Sequence, residues 1–133
     1  MIETISLLKT VQTSTMTASF RSDEVVQLVI DANSHTKVPE VIEAINAIKE
    51  SAGGKRCPLL VIAGKDASID TAAMSYMAKN TSESTNIAIA FLIGSISQKL
   101  LGNFYLSFNK PLKPTRIFTN IEDALEWLYP FRA

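Results

Sequence analysis

The chain has one cysteine and one histidine in 133 residues, and its thirteen basic and thirteen acidic side chains cancel. A single cysteine excludes an intrachain disulfide. Cys57 opens an apolar stretch and reads as a small buried hydrophobe rather than a reactive thiol. His35 stands alone in the polar loop Asn33 to Lys37, and no Cys/His/Asp set has metal-ligand spacing, so no metal site is expected. Gly-x-Ser-x-Gly is absent, and a triad would need His35 far upstream of any serine turn. Balanced charge with no block of one sign lacks the positive field of a phosphate-backbone binder, which excludes nucleic acid as an expected partner. The longest uncharged apolar run is about eight residues, roughly half a membrane span. The opening MIETISLLKT has no basic n-region, sustained apolar segment or small-residue cleavage site. These absences predict a non-catalytic, cytoplasmic protein that does not span a membrane and needs no cofactor. Its length suits one domain over residues 1–133.

The stretch from Asn86 to Thr119 organises what is present. Ile87 to Ile93 is an unbroken apolar run bounded by Asn86 and Gly94, as a central strand covered on both faces requires. Gly94-Ser95-Ile96-Ser97 is a strand-to-helix turn with hydroxyls placed to cap a helix. The helix predicted over 97–108 is apolar at 100, 101, 104, 105, 106 and 108, on more sides than a surface helix needs. One side can face the sheet, and the other must meet a second subunit, a ligand or a covering loop.

Around it the elements alternate. Residues 1–12 fit neither period. Thr15 to Arg21 alternates as a half-buried strand near a sheet edge, and Val25 to Ile30 follows it as a hairpin partner. Pro39 sits in the first turn of a helix whose stripe is Val41, Ile42, Ile45, Ile48 and Ala52, and Gly53-Gly54 ends it. In Gly53-Gly54-Lys55-Arg56 the glycines follow a helix and precede a strand, the reverse of a phosphate loop. Leu59 to Ala63 is a strand, and Asp70 caps a helix over Thr71 to Lys79. Pro111 and Pro114 end the third helix before a short strand, Thr115 to Phe118. Thr119 and Asn120 then start a last helix. This order predicts an α/β domain with a single-layer mixed sheet of four to five strands and about four helices.

The strand ending in Gly94-Ser95 is followed by Gly102-Asn103-Phe104, Asn109-Lys110-Pro111, Pro114-Thr115-Arg116 and Phe118-Thr119. Ala124-Leu125-Glu126-Trp127-Leu128 completes the series. Over residues 57–128 it resembles a bacterial branch of the STAS (SpoIIAA-like) family, whose fold is similar to the CRAL-TRIO lipid-binding domain. The resemblance implies a non-enzymatic domain that binds partner proteins, nucleotides or small ligands and pairs with itself. In members that antagonise anti-sigma factors, a serine opening the helix after a central strand is phosphorylated. The matching string here is Asp70-Thr71-Ala72-Ala73, so the acceptor position is Ala72, which has no hydroxyl. Thr71 is the only substitute nearby, and the departure argues against a phospho-switch.

Two sites follow as expectations. Gly94, Ser95 and Ser97 with Lys65 gather where a strand's end meets a helix N-terminus, a place that suits an anion; the plainer reading is that a serine caps its helix. Met74, Met77, Ile96, Leu100, Phe104, Tyr105, Phe108 and Leu112 form an apolar pocket or a dimer surface. The expected function is a regulatory module that contacts a partner protein and homodimerises; the alternative is a carrier of a small apolar or anionic ligand, lipid-like or nucleotide.

Overall fold

Helices cover both faces of one twisted sheet, and the alternation of side chains along each strand decides which layer a residue meets. The structure, a computed structural model, describes residues 4–79 and 85–132. In chain order the elements are β1 (Leu7–Gln12), β2 (Met16–Arg21), β3 (Val26–Ile30), β4 (His35–Thr36), α1 (Val38–Ser51), β5 (Cys57–Ala63) and β6 (Ser68–Ile69). Then come α2 (Thr71–Lys79), β7 (Asn86–Leu92), α3 (Ile96–Phe104), a π-helical turn (Tyr105–Asn109), β8 (Thr115–Phe118), α4 (Ile121–Leu128) and a 3₁₀ turn (Tyr129–Phe131).

The main sheet has six strands in the order β1-β2-β3-β5-β7-β8, and β4 and β6 form a separate parallel pair. β1, β2 and β3 pair antiparallel, as the short link after Arg21 requires, while β3, β5, β7 and β8 run parallel. Six strands replace the expected four to five because residues 7–12 form an edge strand. Nearly all of β1 is exposed, including Leu7 and Leu8, so its side chains carry no alternation to read. Residues 1–3 lie outside the described residues.

The parallel strands advance in one direction across the sheet, and right-handed crossovers then put their connecting helices on one face. On that face Leu59, Val61 and Ile89 pack with Ala44, Ala47 and Ile48 of α1. Phe91 also meets Met74 of α2 and Tyr105 beyond α3. The intervening residues Leu60, Ala88 and Ala90 point to the other face, against Ala124 and Leu128 of α4. Burial on both faces explains the uninterrupted apolar runs of β5 and β7. Trp127 sits at the margin of α4's packing, between Phe118 and Phe131 at ring distances of 5.8 and 5.1 Å.

A buried ion pair at the turn between β2 and β3 receives a hydrogen bond from the C-terminal 3₁₀ turn. Arg21 donates to both carboxylate oxygens of Asp23 at 3.0 and 2.9 Å, and the Tyr129 hydroxyl donates to Asp23 Oδ2 at 2.9 Å. Bidentate geometry and the phenol together satisfy a carboxylate that would be costly to bury alone.

Candidate functional site

α3 begins at Ser95, whose Oγ accepts from the Gln98 backbone N–H at 3.1 Å. The Gln98 side chain is buried and turns back: its Oε1 accepts from Gly94 N–H at 2.9 Å, and its Nε2 donates to Gly64 O at 2.8 Å and Ala67 O at 3.3 Å. One amide thus fastens the start of α3 to the loop after β5. At the other end the helix widens into a π turn, and Lys110 stops it in the left-handed region at φ 47°. Between these anchors Gly102 lies against β8, where an added Cβ would stand 2.5 Å from Ile117 Cδ1.

The two sides of α3 have different surroundings. Gln98, Leu101, Gly102 and Tyr105 face a partly open cavity of about 180 Å³ between the sheet, α1, α2 and α3. Met74 and Met77 line it from α2, and Leu28, Val61 and Phe91 from the sheet. Tyr105 is 4% exposed and meets Phe91 edge-on at 6.1 Å. Burial pushes its phenol up to about 12. On the opposite side Ile96, Leu100, Phe104, Phe108 and Leu112 are 80, 65, 40, 72 and 80% exposed. The spacing of four keeps Ile96, Leu100, Phe104 and Phe108 on one side of the helix, and Leu112 follows beyond the stop at Lys110. Phe104 and Phe108 stack on each other at 4.5 Å.

The residues grouped in the sequence as one apolar set therefore divide. Met74, Met77 and Tyr105 line the cavity, while Ile96, Leu100, Phe104, Phe108 and Leu112 form the outer stripe. Both sides of α3 are apolar, so composition alone does not tell inner from outer. The π turn contributes to the division: a wider turn advances each residue by less than the ~100° of an α-helix, which separates the directions of Tyr105 and Phe108.

The four residues grouped for an anion differ in their surroundings. Gly94 and Ser95 border a shallow hollow with Ile96, Lys99 and Thr119, whereas Ser97 and Lys65 are exposed outside it. Gly94 N–H and Ser95 Oγ are already engaged with Gln98, in line with capping. Thr71 is exposed at the first position of α2, where Asp70 Oδ1 accepts from Ala73 N–H at 2.7 Å. His35 Nδ1 lies 2.7 Å from Ser68 Oγ, but the ring makes no other hydrogen bond among the described residues, so nothing orients it as a base. Among the described residues no three of His, Cys, Asp and Glu converge to hold a metal ion, and no helix is long and apolar enough to cross a membrane.

Sequence reasoning missed Gln98, Thr36 and Asn86, all buried at the cavity. The available signal was a polar residue set inside or beside an apolar run, most plainly Gln98 three residues after the capping serine.

The fold is shared with a solved structure, an uncharacterised protein of the DUF3478 family with a SpoIIAA-like fold from Shewanella loihica PV-4. The two agree with a TM-score of 0.55 over 93% of each chain at 12% identity. The chain accordingly has a SpoIIAA-like fold. No curated protein sequence matches it. The profile of one family, described as a domain of unknown function (DUF7793), matches residues 19–132, and the chain belongs to that family.

Proposed function

We propose that this protein is a non-catalytic binding and regulatory module of STAS type, working in the cytoplasm. It acts by protein contact through the outer side of α3 and pairs with a second copy of itself. The supporting observation is the exposed stripe Ile96, Leu100, Phe104, Phe108 and Leu112. Their exposures are together equivalent to about three fully exposed side chains, and each such side chain forfeits roughly 1.5–3 kcal/mol when left in water. A loss of that size is comparable with the ~5–15 kcal/mol that holds a domain folded, so a covering surface would return a large free energy. A second copy is the simplest cover because a two-fold axis lets one patch meet itself. Residues spaced by four form the ridges that pack helix on helix at about −50°.

The test is a charge placed within the stripe. Leu100→Glu and Phe108→Glu, measured by light scattering on a sizing column, should each give a monomer that keeps the wild-type far-UV spectrum. Variants that remain dimeric would place the contact elsewhere.

A further inference from the structure

The cavity beneath α3 contains polar side chains that the fold itself does not satisfy. Thr36, Asn86 and Tyr105 line it, each at least nine-tenths buried at 3, 5 and 4% exposure. None of the three side chains makes a hydrogen bond among the described residues. Their polar atoms are not sealed against other protein atoms, so a molecule that enters the cavity can supply the partner the fold does not. Gln98, which also lines the cavity, has its amide fully engaged with backbone groups and is not available. The unpaired groups are thus a hydroxyl, an amide and a phenol set in a wall of Leu, Ile, Val, Met and Phe.

The wall also limits what can enter. Among the described residues it contains no charged side chain, so a carboxylate or phosphate would lose its hydration without gaining a counter-ion from them. At about 180 Å³ the space is close to the ~150 Å³ apolar cavity known to take benzene, and below the ~300–1,000 Å³ of drug-sized pockets. A water molecule needs two to four polar partners, and most of this lining offers none.

We propose that this cavity is a binding site for a small uncharged molecule, mostly hydrocarbon, that carries one hydroxyl, carbonyl or amide group for Tyr105, Thr36 or Asn86. The site is separate from the outer stripe, which faces the other way, and neither requires the other. It selects by size and by the absence of charge, and the phenol of Tyr105 supplies a donor at the inner side of α3.

Benzene, phenol and benzoate share one ring and differ in the property that matters. Titrated separately into the wild-type chain at pH 7 and followed by amide and methyl NMR shifts, benzene and phenol should bind at residues around the cavity and benzoate should not. Tyr105→Phe should weaken phenol by ~2–10-fold, the range of one net hydrogen bond, and leave benzene unchanged. Ala44→Leu, which pushes a side chain into the cavity from α1, should abolish both. No binding by any of the three, benzoate binding as well as phenol, or equal weakening of benzene and phenol by Tyr105→Phe would each overturn the proposal. Binding that survives Ala44→Leu would do the same by placing the probes on the surface. Should Ala44→Leu fail to fold, the Tyr105→Phe comparison decides alone.

Discussion

Gln98 Nε2 donates to the carbonyl of Gly64 at 2.8 Å, joining residues 34 apart in the chain. The contact makes the loop after β5 a fixed support for α3, whose outer side then has no choice but to face away from the sheet. Replacing Gln98 by leucine keeps the bulk but leaves Gly94 N–H and the Gly64 and Ala67 carbonyls without this partner. The expected cost is about 2–3 kcal/mol, read as a lower urea midpoint with little change in slope.

Close packing against the backbone after β3 explains why Gly64 is a glycine. A Cβ there would stand 2.3 Å from the Ile30 carbonyl oxygen and 2.6 Å from the Ala32 nitrogen, both backbone atoms that cannot swing aside. Gly102 is also crowded, but its neighbour at 2.5 Å is the end of the Ile117 side chain. Gly64→Ala should therefore cost about 2–3 kcal/mol and Gly102→Ala under about 1.5 kcal/mol, compared by thermal or urea unfolding.

Alkaline pH should loosen the packing around the cavity. Burial raises the Tyr105 phenol from its ordinary value near 10 to about 12, so the folded chain holds this proton more tightly than the unfolded chain. The resulting stability is fully present below pH 10 and is lost as pH rises through about 12, by up to about 2–3 kcal/mol. Burial first, and then the hydrogen bond to Asp23, raise Tyr129 in the same direction. Tyr105→Phe should reduce the alkaline slope of the unfolding free energy without removing it, because Tyr129 remains. An unchanged slope would mean that Tyr105 is not buried.

Much of this fold was legible because its signals are local. Asp70 and Asn120 cap their helices with side-chain oxygens, and the runs of β5 and β7 are apolar because both faces are covered. β1 was not legible, since an exposed edge strand need not alternate. The site was readable only in part. The excess of apolar residues between 96 and 112 was plain, but which of them face inward depends on the phase of α3. That phase is set by Gln98 reaching Gly64 and Ala67 and by the π turn at Tyr105, neither of which leaves a periodic mark. The unpaired Thr36, Asn86 and Tyr105 come from three distant segments and gain meaning only when the sheet brings them to one cavity.

Charge distinguishes a second copy from an acidic partner on the outer side of α3. Between residues 85 and 121 the charged residues are Lys99, Lys110, Lys113 and Arg116, with no acid among them. Lys99 and Lys110 lie within the 96–112 segment that carries the stripe, so two copies of that segment brought together set like charges against each other, and salt screens that repulsion. Self-association should tighten by a few-fold as salt rises from about 0.05 to 0.5 M, where the Debye length drops well below 10 Å. Attraction to an acidic surface would weaken instead.

Sedimentation equilibrium of the wild-type chain across a dilution series, repeated at low and high salt, tests most directly whether the outer side of α3 is covered by another copy. A reversible monomer–dimer equilibrium is expected, shifting toward dimer with salt and abolished by Leu100→Glu. A single monomeric species at every concentration and salt would contradict it.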